Sequence, residues 1–299
     1  RGHAPCAAPG AMALAPAAAA ANARALREML DERGWDEAGV LGSGAGGPVL
    51  LVRKCRGPGA GEQFALKRSE ASEVRALRAL AGCRGVVALL EHFSGVAGAD
   101  SRVWACLEHA DGGSLRGLIR EWRPRSVPEG MAAGVVAEVF AGLEDIHRRG
   151  WAHRDIKAEN IGLVRGPGGG PPRARLLDFD TACALPPAGQ RLREVVGTVE
   201  NMAPEVFGAS YDELADCWSL GVVTFELLFG YRPFNDACIR QVEEMVRNWQ
   251  RYLMIPSDAS AAQGDFLRGL LAWDEDRLSS AAASEHPWLR SAAGDAAGA

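Results

Sequence analysis

His153-Arg154-Asp155-Ile156-Lys157-Ala158-Glu159-Asn160 is followed, eighteen positions after its last residue (160 to 178), by Asp178-Phe179-Asp180. Alone, a His-Arg-Asp tripeptide reads as an ordinary polar loop, so its weight depends on what surrounds it and in what order. Upstream, Gly42-Ser43-Gly44-Ala45-Gly46-Gly47-Pro48-Val49 has the spacing GxGxxGxV between two strand-like runs, where absent side chains let backbone amides approach phosphate oxygens. In a chain with 36 glycines that match is weak by itself. Phe64-Ala65-Leu66-Lys67 then ends the next strand with an ammonium able to pair with nucleotide phosphates.

Working outward, Val49 to Arg53 and Gln63 to Leu66 are short β-like runs between Gly-rich turns, and Val86 to Leu90 and Val103 to Leu107 add more. Between them, Val74, Leu77 and Leu80 recur at helical spacing within 73–80. After the break at Asp111-Gly112-Gly113, helical patterns dominate: Met131 to Arg149, Asp216 to Phe229, Ile239 to Tyr252 and Ala261 to Leu271. A β-rich first third joined to an α-rich remainder predicts a bilobal α+β protein with its ligand in the groove between lobes. Residues 1–34 are Ala-rich and of low complexity, with too few large apolar groups to bury a core, and are expected to be disordered outside the fold, as are 291–299. Helix propensity nevertheless favours a helix over Ala17 to Leu30. Arg24 and Arg27, with little acid before Glu28, also fit a transit peptide, so that reading stays open beside a low-complexity tail.

A hydrophobic share of 47% with 24% charged residues is globular, and no apolar run reaches the roughly 18 residues of a membrane span. Net charge −5 with pI near 5.8 argues against nucleic acid as the main partner and suits basic peptides better. Seven scattered cysteines, without metal-ligand spacing, read as reduced thiols, which favours cytosol or nucleus.

In this order, the motifs resemble those of the eukaryotic-type Ser/Thr protein kinase family over roughly residues 35 to 290. The resemblance implies an α+β bilobal kinase fold: a small antiparallel-β N-lobe with one main helix (35–108), a hinge (108–113) and a larger α-helical C-lobe (114–290). It implies ATP and Mg²⁺, with Mn²⁺ as a second metal, and transfer to protein Ser/Thr hydroxyls. Asp155 would accept or orient the substrate proton, Lys157 steady the γ-phosphate, and Asn160 and Asp178 hold metal. Lys67, paired with Glu73, would hold phosphates. Gly42, Ser43, Gly44, Gly47, Val49, Ala65, Glu108, Ala110 and Ser114 would complete the nucleotide site. Further matches are Gly197-Thr198 through Ala203-Pro204-Glu205, Asp216 as anchor of the catalytic loop, and Arg277 as partner of Glu205. Lys157 with Thr198 is the Ser/Thr pattern. Glu159, Glu200 and Glu226 would face the bound peptide, where carboxylates attract basic residues near the acceptor; solvated or structural carboxylates are the alternative. A monomer is the default state. No recognisable second module follows Arg290, so control is expected from partners, from residues before Trp35 or from expression level.

Four departures from the family pattern test this resemblance. Asp180 replaces a glycine and its freedom at positive φ, which is expected to bias the loop toward an always-on form or to change metal preference. Lys67 and Glu73 are only six apart (67 to 73), so whether they meet separates an active kinase from a nucleotide-binding pseudokinase or scaffold. Thr181 to Val196 offers no ordinary activating phosphosite, and Glu194 stands where it could pair with Arg154 in its place. Gly162, two after Asn160, predicts a shallow floor under the adenine.

Overall fold

A computed structural model describes residues 16–44, 46–94, 102–123, 125–166, 168 and 170–290. Helix α1 (Pro16–Arg33) precedes a five-stranded antiparallel sheet of β1 (Trp35–Gly44), β2 (Gly47–Lys54), β3 (Gln63–Ser69), β4 (Leu89–Ser94) and β5 (Val103–Glu108), ordered β1-β2-β3-β5-β4. Between β3 and β4 runs α2 (Ala71–Ala79), whose Val74, Ala76 and Leu77 are buried as their spacing requires. The C-lobe opens with α3 (Leu115–Trp122) and α4 (Glu129–Arg148) and continues through short strands β6 (Trp151–Ala152), β7 (Ile161–Val164), β8 (Arg173–Leu176) and β9 (Cys183–Ala184). Then come α5 (Leu214–Phe229), α6 (Ile239–Arg247), α7 (Trp249–Tyr252), α8 (Ala261–Leu270) and α9 (Ser280–Ser284).

Two expectations are corrected. The first put residues 1–34 outside the fold, yet α1 packs on the sheet: Met29 and Leu30 are buried with Trp35, Leu50, Phe64 and Leu66. Leu26, Met29 and Leu30 lie three and four apart, one apolar face on a helix otherwise of alanine and polar residues, and the Arg33 guanidinium caps the contact 3.5 Å over the Phe93 ring. Residues 1–15 and 291–299 lie outside the described residues. The second read Val86 to Leu90 as one strand. Only Leu89 begins β4, because Val86 and Val87 turn toward the C-lobe, where Val87 N–H donates to the Leu176 carbonyl at 3.0 Å.

Helix α5 is the post on which the catalytic loop hangs. Fourteen of its residues are buried, Asp216 among them, so a polar group there needs internal partners. Arg277 is held likewise: it bonds Glu205 through both carboxylate oxygens, at 2.5 and 3.1 Å, and fixes the Ala203-Pro204-Glu205 segment against the end of the domain. Ser260 and Gln263 form a capping box at the start of α8. No helix among the described residues is long and apolar enough to cross a membrane.

Candidate active site

The cleft is roofed by the β1–β2 hairpin, in which Gly42 pairs with Val49, Ser43 with Pro48 and Gly44 with Gly47; Ala45 at its tip lies outside the described residues. Ala65 on β3 is buried and Val49 half-buried. At the hinge, Glu108 ends β5 opposite Phe64, and Ala110 accepts from Gly113 N–H at 3.1 Å in the turn that follows. Ser114 caps α3, its Oγ accepting from Gly117 N–H at 3.2 Å, which leaves its own O–H proton for a ligand.

Gly162 leaves no hollow between the hinge and Leu177. A Cβ at this position would come within 2.7 Å of the Ala110 Cβ and 3.0 Å of Leu177 Cδ1. The Leu177 side chain, from the residue before Asp178, and the close-packed hinge therefore occupy the volume that a large residue 162 would need.

Lys67 and Glu73 meet in spite of their short spacing. Glu70 caps α2 in an extended conformation, so the helix starts at once and Glu73 falls in its first turn. Lys67 Nζ donates to Glu73 Oε1 and to Asp178 Oδ1, both at 2.8 Å. Burial works against the Lys67 charge, and Glu73 and Asp178 more than offset it, raising its pKa. Glu73 is fully buried, and its Oε1 also accepts from Phe179 N–H at 3.2 Å, so one oxygen ties β3 and the metal-motif backbone to α2.

Asp180 sits in the same pocket, 3.8 Å from Lys67 Nζ. Burial, and next the neighbouring Glu73 carboxylate, push its pKa up to about 7, so near neutral pH the acid is shared between its protonated and ionised forms. The non-glycine described residues at positive φ are Arg154, Asp178 and Ala209. Asp180 is not one of them, so glycine's freedom is not needed at that position. Backbone strain sits instead on Arg154 (φ 68°) and Asp178 (φ 58°), at about 1–3 kcal/mol each, and is tolerated because surrounding bonds fix both.

Those bonds start at Asp216, whose Oδ2 accepts from His153 N–H at 2.9 Å and whose Oδ1 accepts from Arg154 N–H at 2.8 Å. His147 Nε2 lies 3.0 Å from the same carboxylate, with Nδ1 3.1 Å from Ser280 Oγ. Burial opposes the Asp216 charge, but His147 and the neighbouring donors hold its pKa below the ordinary carboxylate value. The His153 ring packs edge-on against Phe179, centroids 4.7 Å apart, which joins the catalytic loop to the metal motif.

Thus held, Asp155 collects three donors: Thr198 Oγ1 to Oδ1 at 2.7 Å, Lys157 Nζ to Oδ2 at 2.7 Å and Asn160 Nδ2 to Oδ2 at 3.0 Å. Gly197 makes the Thr198 approach feasible, since it has φ 109° and any side chain there would strike the Arg154 carbonyl. Arg154 donates to Glu194 at 3.0 Å and to the Thr181 carbonyl at 2.6 Å, while Tyr211 O–H donates to the Glu194 carbonyl at 2.5 Å. Asp178, Asp180 and Asn160 offer hard oxygens suited to Mg²⁺, and Glu73, Asp178 and Asp180 present ligand atoms within 4.8 Å of one another.

Of the two readings of Glu226, a carboxylate facing the peptide or a structural one, the second holds. It is 3% exposed and accepts from Arg116, Arg123 and Arg232, so it is not an open carboxylate facing a peptide. Glu159 takes Arg116 at 2.8 Å, and Glu200 takes Arg232 at 3.5 Å. Sequence reasoning missed these three arginines, as it missed His147, Tyr211 and Leu177. Glu226 buried in mid-helix was the one signal, since a carboxylate in so apolar a run must have partners.

A cleft with this lysine–carboxylate core under a glycine hairpin, beside a catalytic loop hung on a buried helix, defines a phosphotransferase of the kinase type. The chain belongs to the protein kinase family, whose domain model matches residues 35–289. It is similar to the serine/threonine-protein kinase MRCK gamma of Mus musculus, 31% identical over 262 residues covering 80% of this chain and 16% of that protein. To CDPK-related kinase 3 of Arabidopsis thaliana it is 33% identical over 224 residues, 73% of this chain and 36% of that one. To the serine/threonine-protein kinase LATS1 of Homo sapiens it is 29% identical across 89% of this chain and 28% of the relative. The chain therefore spans well under half the length of these relatives.

Proposed function

We propose that the chain is an active ATP-dependent protein kinase acting on Ser or Thr hydroxyls. The observation that carries this reading, against a pseudokinase or scaffold, is the Lys67–Glu73 contact at 2.8 Å, which keeps the phosphate-binding ammonium beside Asp178. Asp155 takes the proton of the acceptor hydroxyl as its oxygen bonds to the γ-phosphorus and the bond to the departing ADP oxygen breaks. Lys157 stands 2.7 Å from Asp155, placed to reach the transferring group, and Thr198 orients the other Asp155 oxygen. Gly42, Ser43, Gly44 and Gly47 cover phosphates, and Val49, Ala65, Leu177 and the hinge at Glu108 and Ala110 enclose the base. Asp178 and Asn160 would hold Mg²⁺, or Mn²⁺, which when bound offsets negative charge on the phosphoryl oxygens. The Arg154–Glu194 pair supports an activation segment ordered without an added phosphate. A location in the cytosol or nucleus belongs to the same reading, supported by the free thiols, with a monomer as the default state.

The test is γ-phosphate transfer from Mg·ATP to a Ser/Thr peptide library by wild type, Asp155→Asn and Asp178→Ala. Turnover in wild type alone is expected. Equal signals in all three proteins, or none with any peptide under Mg²⁺ or Mn²⁺, would overturn the reading in favour of the pseudokinase.

A further inference from the structure

Beside the catalytic loop stands a second charge cluster whose partners all come from the chain itself. Glu159 immediately precedes Asn160, and Glu200 lies two residues after Thr198, whose hydroxyl donates to Asp155 at 2.7 Å. Both therefore border the place where an acceptor hydroxyl must sit. Three guanidiniums from separate parts of the chain reach them and the buried Glu226. Arg116 on α3 donates through Nε to Glu159 at 2.8 Å and through Nη1 to Glu226 at 2.5 Å. Arg123, just past α3, donates to the same Glu226 oxygen at 3.2 Å. Arg232, past α5, spans all three carboxylates, at 3.4 Å from Glu226, 3.5 Å from Glu200 and 3.9 Å from Glu159.

Three cations thus face three carboxylates. Burial penalises the charge on Arg116 and on Glu159, and their pairing outweighs it, raising the one pKa and lowering the other. A carboxylate that recognises a substrate arginine needs lone pairs open to it. Here a substrate cation would have to displace a guanidinium that already satisfies Glu226, and stripping partners from a buried carboxylate is costly.

We infer that this kinase does not select arginine or lysine beside the acceptor hydroxyl, and that Arg232 sets this preference by occupying the place a substrate cation would take. Its substrates carry uncharged or acidic neighbours there. This revises the expectation of basic peptide partners, and it rests on the proposed phosphotransfer reading.

Two readouts keep the ideas separate. The first is peptide affinity by fluorescence anisotropy, using Ser peptides with arginine, alanine or glutamate at each position around the acceptor, which needs no turnover. Wild type is expected to bind arginine peptides no more than about twofold tighter than alanine peptides. Arg232→Ala leaves Glu226 to Arg116 and Arg123, and is expected to gain roughly tenfold for arginine at one or two positions. Arg123→Ala, at a half-exposed side chain, serves as the second variant should Arg232→Ala unfold early. A wild type that prefers arginine by about tenfold, with Glu159→Gln abolishing the preference, would overturn the inference, and so would absence of any gain in the arginine variants. The second readout, phosphotransfer to the same peptides, judges the kinase reading alone: no turnover alongside the expected affinity pattern would sink that reading and overturn the inference as a statement about kinase substrates, leaving only the role of Arg232 in peptide binding.

Discussion

The two charge clusters flanking the catalytic loop are built on opposite balances. In the cleft, the single ammonium of Lys67 faces Glu73, Asp178 and Asp180, so negative charge is in excess whether or not Asp180 carries a proton. At the substrate edge, Arg116, Arg123 and Arg232 match Glu159, Glu200 and Glu226 one for one. An unbalanced cluster invites a cation from outside and is strained without one. A balanced cluster is complete and contributes stability and selectivity. The difference teaches where to look for a ligand: buried charge that the chain has left uncompensated is a better pointer than the number of charged residues.

The largest expected effect breaks the cleft cluster. Lys67→Met leaves three carboxyls without their cation, and turnover should fall by about 10²–10³-fold, since preorganised charge is the main catalytic contribution in phosphoryl transfer. Asp178→Ala should abolish turnover as well but leave the melting temperature little changed, because Glu73 still pairs with Lys67 when one carboxylate of the excess is removed. A melting temperature that fell by several degrees in Asp178→Ala would mean the cleft cluster is a structural ion-pair network and not a site waiting for a cation.

Breaking the balanced cluster should act the other way round. Glu226→Ala leaves Arg116 and its companions without their shared buried partner, a change worth about 3–5 kcal/mol in comparable buried pairs. For a domain of this size that corresponds to a melting temperature roughly 5–15 °C lower by calorimetry. A Glu226→Ala protein that melts with wild type would show the arginines swinging out to solvent, and the comparison would lose its second half.

Legibility from sequence follows the same division. Asp155, Lys157, Asn160 and Asp178 lie in two short stretches whose internal spacing carries their chemistry, and Lys67 follows a glycine hairpin in a fixed order. The arginine cluster joins α3, the loop after it and the loop after α5, over more than a hundred residues of separation (116 to 232), and no local pattern marks such an assembly. Propensity pointed to a helix over Ala17 to Leu30, but its docking was hidden by composition, since Leu26, Met29 and Leu30 are too few to stand out among alanines, although three well-placed side chains suffice to dock a helix end on a sheet. The packing beside the hinge was half legible: the missing side chain at Gly162 is plain in the sequence, but the filling of its space by Ala110 and Leu177 depends on segments distant in the chain meeting.

A smaller effect is expected at Glu194, the exposed end of its pair with Arg154. An exposed ion pair is worth little in stability, at most about 1 kcal/mol, so Glu194→Ala should leave the melting temperature alone. If the pair biases the activation segment as proposed, turnover should fall roughly five- to tenfold, with Glu194→Asp intermediate. Steady-state kinetics on one peptide decide it, and unchanged turnover in Glu194→Ala would remove the case for an ordered segment without phosphate.

The smallest effect sharpens the account of how the cleft limits its own excess. Glu73 Oε2 and Asp180 Oδ1 are both buried without a hydrogen-bond partner among the described residues, and a proton shared between them would satisfy both. If that proton ties the metal-motif loop to α2, an amide at position 180 should do the same work, because its N–H₂ can donate where the acid O–H did. Asp180→Asn is then expected within about twofold of wild type in turnover, and Asp180→Ala, which unties loop from helix, about three- to fivefold lower. Asp180→Gly should resemble Ala, since the backbone at 180 does not use the positive φ that glycine permits. Were glycine instead to match or exceed wild type while alanine fell, the third position of the motif would matter for backbone freedom, and the shared proton would be a by-product of burial.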